Sequence, residues 1–306
     1  MSILFAGTPE NAAITLRELV QAGVPITLVL TRPDAPVGRK SLLTPSPVAK
    51  VAEELGLACI KTATVGTEVL DEIKAAHIDF AVVVAFGVLL STDALKALPK
   101  GWFNLHYSLL PRWRGAAPVQ WSIASRDHET GVTLFQIDRG LDTGPVLAST
   151  QTQIQTGENS GDLLSRLTHL GVSLLLEQLP KIASGIYTLS SQSTQGVTLA
   201  PKLTRRDGRL RFGESAKIVE AQARSVTPEP GAWFDSNIGQ IKVLSFRAVG
   251  LQVPEGLLQI IDGAVLIGTG SGSLELLEVQ PAGKKPMSAS DWYRGLRDNR
   301  VEVLNG

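Results

Sequence analysis

Cysteine is almost missing from this chain, and so is any excess of charge of one sign. The only cysteine is Cys59, so no internal disulfide is possible and the reducing cytosol is the expected environment. We expect Cys59 to be a small core residue of an apolar strand. Lysine plus arginine equals aspartate plus glutamate at 29 each. The balance argues against indiscriminate nucleic-acid binding, but it leaves room for a local basic patch.

Long hydrophobic runs are missing as well. The longest nearly apolar stretch, 80–90, falls well short of the roughly 20 residues that a membrane-spanning helix needs. The N-terminus has no basic segment, and its apolar stretch is too short for a signal peptide. We therefore expect a cytoplasmic protein that makes no contact with membranes.

Familiar cofactor motifs are the third absence. The turn after the first apolar run, Gly7-Thr8-Pro9, has one glycine where the dinucleotide fingerprint needs Gly-x-Gly-x-x-Gly. No phosphate-binding Gly-x-x-x-x-Gly-Lys-Ser/Thr loop is present. The four histidines are not accompanied by paired cysteines, so nothing in the pattern predicts a zinc site. Nicotinamide, flavin and nucleotide-hydrolysing functions therefore have no support.

What the first two-thirds of the chain does contain is an alternation of short apolar runs with helical patterns. This order predicts an α/β fold with a doubly wound, mostly parallel sheet. The predicted strands are 3–6, 26–30, 58–60, 80–85, 102–105 and 132–137, and the predicted helices are 12–22, 48–55, 69–76 and 162–179.

The character of the sequence changes near residue 184. Residues 190–196 are polar and have the composition of a linker. Beyond them, short β-type runs alternate with glycine-rich turns, and 216–224 and 290–297 have helical patterns. These features predict a small β-barrel with one or two helices. We expect domains at 1–184 and 204–306, joined by a linker at 185–203.

Asn104 and His106 form the first candidate for chemistry. They lie two residues apart at the end of a predicted strand, so both side chains project from one face. An amide and an imidazole placed side by side can donate hydrogen bonds to one point, as a developing oxyanion requires. On its own this pair is weak, and a structural role for both residues stays open.

Asp142 lies in the second candidate segment, 138–144, which follows another predicted strand. Its glycines can bend the chain so that Asp142 points back at His106. A carboxylate there would orient the imidazole and support its cationic form. Asp138 in the same segment could be an ordinary turn residue.

The segment from Asn104 to Pro118, together with Gly140-Leu-Asp-Thr-Gly144, resembles the formyltransferases that use 10-formyltetrahydrofolate. Three features are similar to the branch of that family that acts on methionyl-tRNA. They are Phe5-Ala-Gly-Thr-Pro-Glu10, the loop 31–48, and the double alanine before proline in Ser108–Pro118. The resemblance runs from residue 2 to about 180, and more loosely through the C-terminal part to Gly295.

This resemblance implies a Rossmann-like formyltransferase domain followed by an OB-like barrel. It implies formyl transfer from 10-formyltetrahydrofolate to initiator methionyl-tRNA for translation initiation, by a monomer that needs no metal. Asn104, His106 and Asp142 would be the catalytic residues. The folate site would comprise Phe86, Gly87, Val88 and Leu89 on one side and Ser108, Leu109, Leu110 and Pro111 on the other.

Two basic segments are the candidates for tRNA binding. Arg39 and Lys40 lie in the loop between the second predicted strand and its helix. Lys202, Arg205, Arg206 and Arg209 form a basic stretch, with Arg211 beside them. A solvated charged face and a phosphate-binding surface both remain open for this stretch.

The sequence departs from the family pattern at three places. Asn11 stands where the family has an aromatic residue, Tyr107 where it has a small residue or proline, and 40–43 where it has a run of lysines.

The same active site also serves glycinamide ribonucleotide formyltransferases, formyltetrahydrofolate hydrolases and sugar-nucleotide formyltransferases. The first two of these lack a C-terminal barrel of this kind, whereas a sugar enzyme can carry a related extension, and the loop 33–47 favours tRNA. A nucleic-acid-binding module with a dead enzyme domain is disfavoured, because the catalytic set is intact.

Overall fold

The structure is a computed structural model, and it describes residues 1–38, 41–296 and 301–304. The strands are β1 Ile3–Gly7, β2 Ile26–Thr31, β3 Ala35–Val37, β4 Leu42–Thr44, β5 Cys59–Lys61, β6 Phe80–Val84, β7 Trp102–His106, β8 Arg114–Gly115, β9 Glu129–Gln136, β10 Val146–Gln153, β11 Leu199–Ala200, β12 Ala232–Ser236, β13 Gly239–Val249, β14 Leu258–Ile261, β15 Ala264–Gly268, β16 Ser273–Pro281 and β17 Met287–Ser288. The helices are α1 Glu10–Gln21, α2 Pro47–Glu54, α3 Thr67–Ala75, α4 Thr92–Lys96, α5 Pro118–Ala124, α6 Ser160–Ser184, α7 Ala216–Ser225 and α8 Ala289–Arg294, with a 3₁₀ turn at Arg205–Gly208.

The chain divides into two compact units. The first unit comprises Met1–Pro118, Thr130–Thr152 and Leu164–Ala200. The second unit comprises Val119–Glu129, Gln153–Leu163 and Pro201–Gly306.

The first unit is built around a sheet that, over the described residues, has the strand order β10-β9-β7-β6-β1-β2-β5. The strands from β5 to β7 run parallel, and β9 is antiparallel to β7. β1 and β6 are buried at every position, as central strands of a parallel sheet are when both faces are covered. The predicted mostly parallel α/β sheet is confirmed. Cys59 is only half-buried, because β5 is an edge strand.

Local sequence chemistry explains how helices follow these strands. At α2, the Ser46 hydroxyl accepts a hydrogen bond from the Ala49 amide at 3.0 Å, and Pro47 begins the helix. Between β1 and α1, a Cβ on Gly7 would lie 2.7 Å from the Ala12 Cβ and 3.0 Å from the Val84 carbonyl oxygen. Glycine is needed there because the chain turns from strand to helix in close contact with β6.

The polar segment predicted as a linker lies mostly inside the first unit. Ser190 forms an antiparallel bridge with Val146, and β11 pairs in parallel with β8. This segment passes into the second unit only at Pro201. The composition of this segment is that of a linker, but its side chains and backbone hydrogen-bond to the folded unit, which composition alone does not reveal.

The second unit is a small antiparallel barrel, as predicted. Its strands follow the order β12-β13-β16-β15-β14 over the described residues, with β17 added to β16. The C-terminal segment closes the sheet, because Val303 bridges to Ser236 at the end of β12 and Glu302 bridges to Leu257 just before β14. The core contains the edge-to-face pair Phe212 and Phe234.

No helix within 1–38, 41–296 and 301–304 is both long enough and apolar enough to cross a membrane.

Candidate active site

β7 ends at His106, so Asn104 and His106 lie near the carboxyl end of this strand. In the register, Asn104 is opposite Val83 of β6 and Phe135 of β9. His106 is only 5% exposed, whereas Asn104 is half-buried. The Asn104 side chain makes no hydrogen bond within the described part of the chain, so its amide is available to a substrate. The structure therefore gives the pair the shared face that the strand period predicts.

The segment after β7 folds back over His106. The Ser108 hydroxyl donates to the Arg112 carbonyl at 2.6 Å, and the Thr133 hydroxyl donates to the Ser108 carbonyl at 2.7 Å. This turn brings the Trp113 carbonyl oxygen to 2.8 Å from His106 Nε2. The segment thus positions a backbone acceptor against the histidine ring.

That contact fixes the tautomer of His106. A carbonyl oxygen only accepts hydrogen bonds, so Nε2 must carry the proton. In the neutral ring Nδ1 is then unprotonated, and it lies 3.8 Å from Asp142 Oδ2. His106 therefore presents a proton acceptor, at Nδ1, to the side where Asp142 lies.

Asp142 is held by β8 through its carboxylate. Its backbone has a φ of 52°, and its Oδ2 accepts a hydrogen bond from the Gly115 amide at 2.7 Å. Asp138 is a turn residue, since its Oδ1 accepts from the Gly140 amide at 2.9 Å and the Thr143 hydroxyl at 2.7 Å. The structure brings Asp142 close to His106, as predicted. Asp138 stabilises the turn that precedes Asp142.

Burial decides the charge of His106. Removal of the ring from water lowers its pKa from the ordinary value, against the opposing effects of the Asp142 carboxylate and the Trp113 carbonyl. The neutral ring is therefore the resting form at neutral pH. The Asp142 carboxylate raises the pKa of His106, as expected, but burial lowers that pKa by more. The expected cationic ring is therefore not the resting form.

The predicted folate-site residues fall into two groups. Phe86 is 2% exposed and Ser108 is fully buried, so both belong to the protein core. By contrast, Leu89 is 93% exposed. The more accessible members of the set are Gly87, Val88, Leu89, Leu109, Leu110 and Pro111. The role of Phe86 and Ser108 in folate binding stays a prediction.

Two residues that the sequence reading missed hold the 86–89 segment. The Thr8 hydroxyl donates to the Phe86 carbonyl at 2.8 Å, and Arg32 Nη1 donates to the Gly87 carbonyl at 3.1 Å. Both carbonyls are therefore engaged before any ligand arrives. Thr8 and Arg32 lie in motifs that the sequence singled out, but only the fold shows what their side chains bind.

Comparison with known proteins places this geometry in a family. The formyl transferase model matches residues 1–179, and the model of the formyl transferase C-terminal domain matches residues 202–297. The methionyl-tRNA formyltransferase of Arthrobacter sp. (strain FB24) is 48% identical over 300 residues, covering 96% of this chain and 97% of that protein. That of Corynebacterium diphtheriae is 43% identical and covers both chains completely. The chain belongs to the methionyl-tRNA formyltransferase family.

A solved structure agrees on the fold. The N-formyltransferase from Helicobacter canadensis, in complex with folinic acid and dTDP-3-aminofucose, superposes with a TM-score of 0.69. The two sequences are 17% identical, and the alignment covers 90% of this chain and 98% of that one. This likeness extends the shared architecture beyond the methionyl-tRNA formyltransferase family.

Two residues that the resemblance marks as unusual, Asn11 and Tyr107, lie close together in the first unit. Tyr107 directly follows His106 in the sequence, and its ring is buried. The Tyr107 hydroxyl lies among Asn11, Thr15 and Thr168. Burial raises the pKa of this hydroxyl. A small polar residue at 11 therefore accompanies a large one at 107.

The basic residues predicted to bind tRNA are not equivalent. Arg39 and Lys40 lie outside the described residues. Arg209 is half-buried, 3.5 Å from Asp235, and donates to the Leu304 carbonyl. Arg205 donates to Gln240 and lies over the Trp233 ring.

Three other basic side chains of this stretch are exposed. These side chains belong to Lys202, Arg206 and Arg211. None of the three makes a hydrogen bond or ion pair with any described residue. Arg206 and Arg211 line a cavity of about 680 Å³ in the second unit, together with Trp121. Within this stretch, they are the positive charges that the described fold leaves available to an anionic ligand.

Across the described residues, no group of three or more His, Cys, Asp or Glu side chains is arranged to hold a metal ion.

The first prediction concerns the pKa of the His106 ring. It should lie below the ordinary value near 6.5, because burial disfavours the charged form. Asp142→Asn should lower it further, since this removes the carboxylate that favours protonation. An NMR titration of the imidazole protons, assigned with His106→Asn, measures both values. Asp93→Asn, an exposed change on α4, is the control and should leave the pKa unchanged. A rise in pKa in Asp142→Asn would contradict the assignment.

Proposed function

We propose that the protein transfers the formyl group of 10-formyltetrahydrofolate to the free α-amino group of initiator methionyl-tRNA, using Asn104, His106 and Asp142. The observation that carries the proposal is the placement of His106 Nδ1 at 3.8 Å from Asp142, beside the unpaired amide of Asn104, in a chain of this family.

The reaction is acyl transfer from one nitrogen to another. The α-amine attacks the formyl carbon, a new carbon–nitrogen bond forms, and the carbonyl electrons move onto oxygen. The Asn104 amide donates a hydrogen bond to this oxyanion. Collapse of the tetrahedral intermediate breaks the bond to N10 of the folate, which leaves as the amine after it takes up a proton.

His106 moves the proton. Its unprotonated Nδ1 accepts the proton that the attacking amine must lose. The imidazolium that results is stabilised by Asp142 on one side and by the Trp113 carbonyl on the other. Nδ1–H is then a donor, and it can support the oxyanion and return the proton to N10. A ring that rests in the neutral form, as burial dictates here, is ready for the first of these steps.

Different segments of the chain support the binding of the two substrates. The exposed parts of 87–89 and the apolar turn 109–111 support a role as walls for the planar pterin. The free charges of Arg206 and Arg211 support a role for the second unit in holding tRNA phosphates. A monomer, a cytoplasmic location, a reaction without metal and the tRNA contacts of Arg39 and Lys40 remain predictions.

The second prediction tests the catalytic residues and the acceptor together. Charged initiator tRNA should be formylated, and glycinamide ribonucleotide and an amino-sugar nucleotide should not. His106→Ala and Asp142→Asn should each lower kcat by ~10² or more while folate binding persists. His128→Ala, which removes an exposed histidine, should leave kcat unchanged. Near-normal turnover in either active-site variant would remove that residue from the mechanism.

The third prediction concerns the second unit. Replacing Arg206 and Arg211 together by alanine should weaken tRNA binding and reduce its salt slope by about one unit for each lost phosphate contact. Binding measured from low to moderate salt gives this slope, and the Michaelis constant for folate should not move.

Lys74→Ala with Lys96→Ala is the matched control, because it removes two exposed charges from the first unit. An unchanged slope in the arginine variant, or an equal change in the lysine variant, would contradict a phosphate-binding role for Arg206 and Arg211.

A further inference from the structure

The side-chain amide of Gln192 is completely engaged in hydrogen bonds. Its Nε2 donates to the carbonyl oxygens of Asp142 and Gly144, both at 2.8 Å. Its Oε1 accepts from Nε of Arg114 at 3.0 Å and from Nη2 of the same side chain at 2.7 Å. A glutamine amide has two donor hydrogens and two acceptor lone pairs, so none of its hydrogen-bonding capacity is left over.

These bonds close a ring around Asp142. Arg114 precedes Gly115, and the Gly115 amide donates to Asp142 Oδ2 at 2.7 Å. The carboxylate of Asp142 is therefore attached to β8 directly, and its backbone carbonyl is attached to β8 through Gln192. β8 is itself held by β11 and by the hydrogen bond from the Arg114 amide to the Thr198 carbonyl at 2.9 Å.

These contacts hold an uncommon backbone conformation at Asp142. Its φ of 52° lies in the left-handed region, which few residues other than glycine adopt, although aspartate does so more readily than most. A residue stays in that region when the surrounding structure holds it there. Gly144 restricts the same turn, because a Cβ at that position would lie 1.8 Å from the Gln136 carbonyl oxygen.

We propose that Gln192 is a positioning residue for formyl transfer. Its amide holds the 142–144 backbone in the conformation that turns the Asp142 carboxylate toward His106. This proposal rests on the proposed function, in which Asp142 stabilises the imidazolium form of His106. It also gives a role to the polar segment 190–196, whose composition is that of a linker.

Three variants separate the contacts of Gln192. Gln192→Ala removes the whole side chain. Gln192→Glu keeps the length and the acceptor for Arg114, but it has no hydrogen to donate to the two carbonyls. Gln195→Ala is the matched control, because Gln195 is an exposed glutamine three residues away whose side chain makes no hydrogen bond with the described residues.

We expect Gln192→Ala and Gln192→Glu to lower kcat by about tenfold to a hundredfold, because a misplacement of about 1 Å in an active site can cost roughly a hundredfold in rate. The Michaelis constants for folate and tRNA should change little, because Gln192 contacts neither predicted binding segment. Gln195→Ala should behave like the wild-type protein. Each variant is assayed well below its own midpoint of thermal unfolding. A Gln192→Glu protein with normal kcat would overturn the proposal.

A double-mutant cycle tests whether Gln192 acts through Asp142. In an Asp142→Ala background there is no carboxylate left to orient, so Gln192→Ala should cause no further loss of kcat. If the two losses multiply instead, Gln192 acts independently of Asp142 and the proposal is wrong, although the proposed function stands. If Asp142→Ala alone retains normal kcat, the proposed role of Asp142 fails first, and the role of Gln192 fails with it.

Discussion

The hydrogen bond from His106 Nε2 to the Trp113 carbonyl is the constraint on which the site depends. It selects one tautomer of a buried ring and leaves Nδ1 as the nitrogen that faces Asp142. The bond exists because the turn after β7 folds back, and that turn is held by Ser108 and Thr133. The strand β7 fixes the position of the His106 ring within a buried sheet. The loop that carries Asp142 places a negative charge near Nδ1 of that ring.

Burial gives His106 a second property that the chemistry uses. A neutral imidazole accepts a proton, whereas a ring already charged at rest could only donate one. The neighbouring carboxylate is too weak an influence to reverse the effect of burial, but it is placed to stabilise the charge once the ring becomes protonated. The same pair of residues therefore serves both the resting state and the charged intermediate.

Much of this arrangement follows from local sequence patterns. Buried apolar runs predicted β1 and β6, and the period of a strand predicted that Asn104 and His106 share a face. β10 was missed because Val146–Gln153 alternates exposed polar residues and resembles a loop in composition. The closure of the barrel by residues 302 and 303 was missed for another reason, since it joins segments far apart in the sequence.

The sequence predicts the role of a side chain only where the local backbone determines the position of that side chain. The sequence marks Arg206 and Arg209 as equals, yet Asp235 pairs with Arg209 and leaves Arg206 exposed. It marks Gln192 as part of a flexible connection, yet the fold uses its amide at the active-site loop. In both cases the partner lies on a distant segment, and no spacing rule brings the two together.

The protonation pattern of the His106 ring tests this account most directly. Nitrogen-15 NMR of the imidazole, assigned by comparison with His106→Asn, distinguishes a protonated ring nitrogen from an unprotonated one. We expect, at neutral pH and without substrates, a protonated Nε2 and an unprotonated Nδ1. A ring protonated at Nδ1 alone, or at both nitrogens, would contradict the account, because the proton acceptor that it requires would be missing.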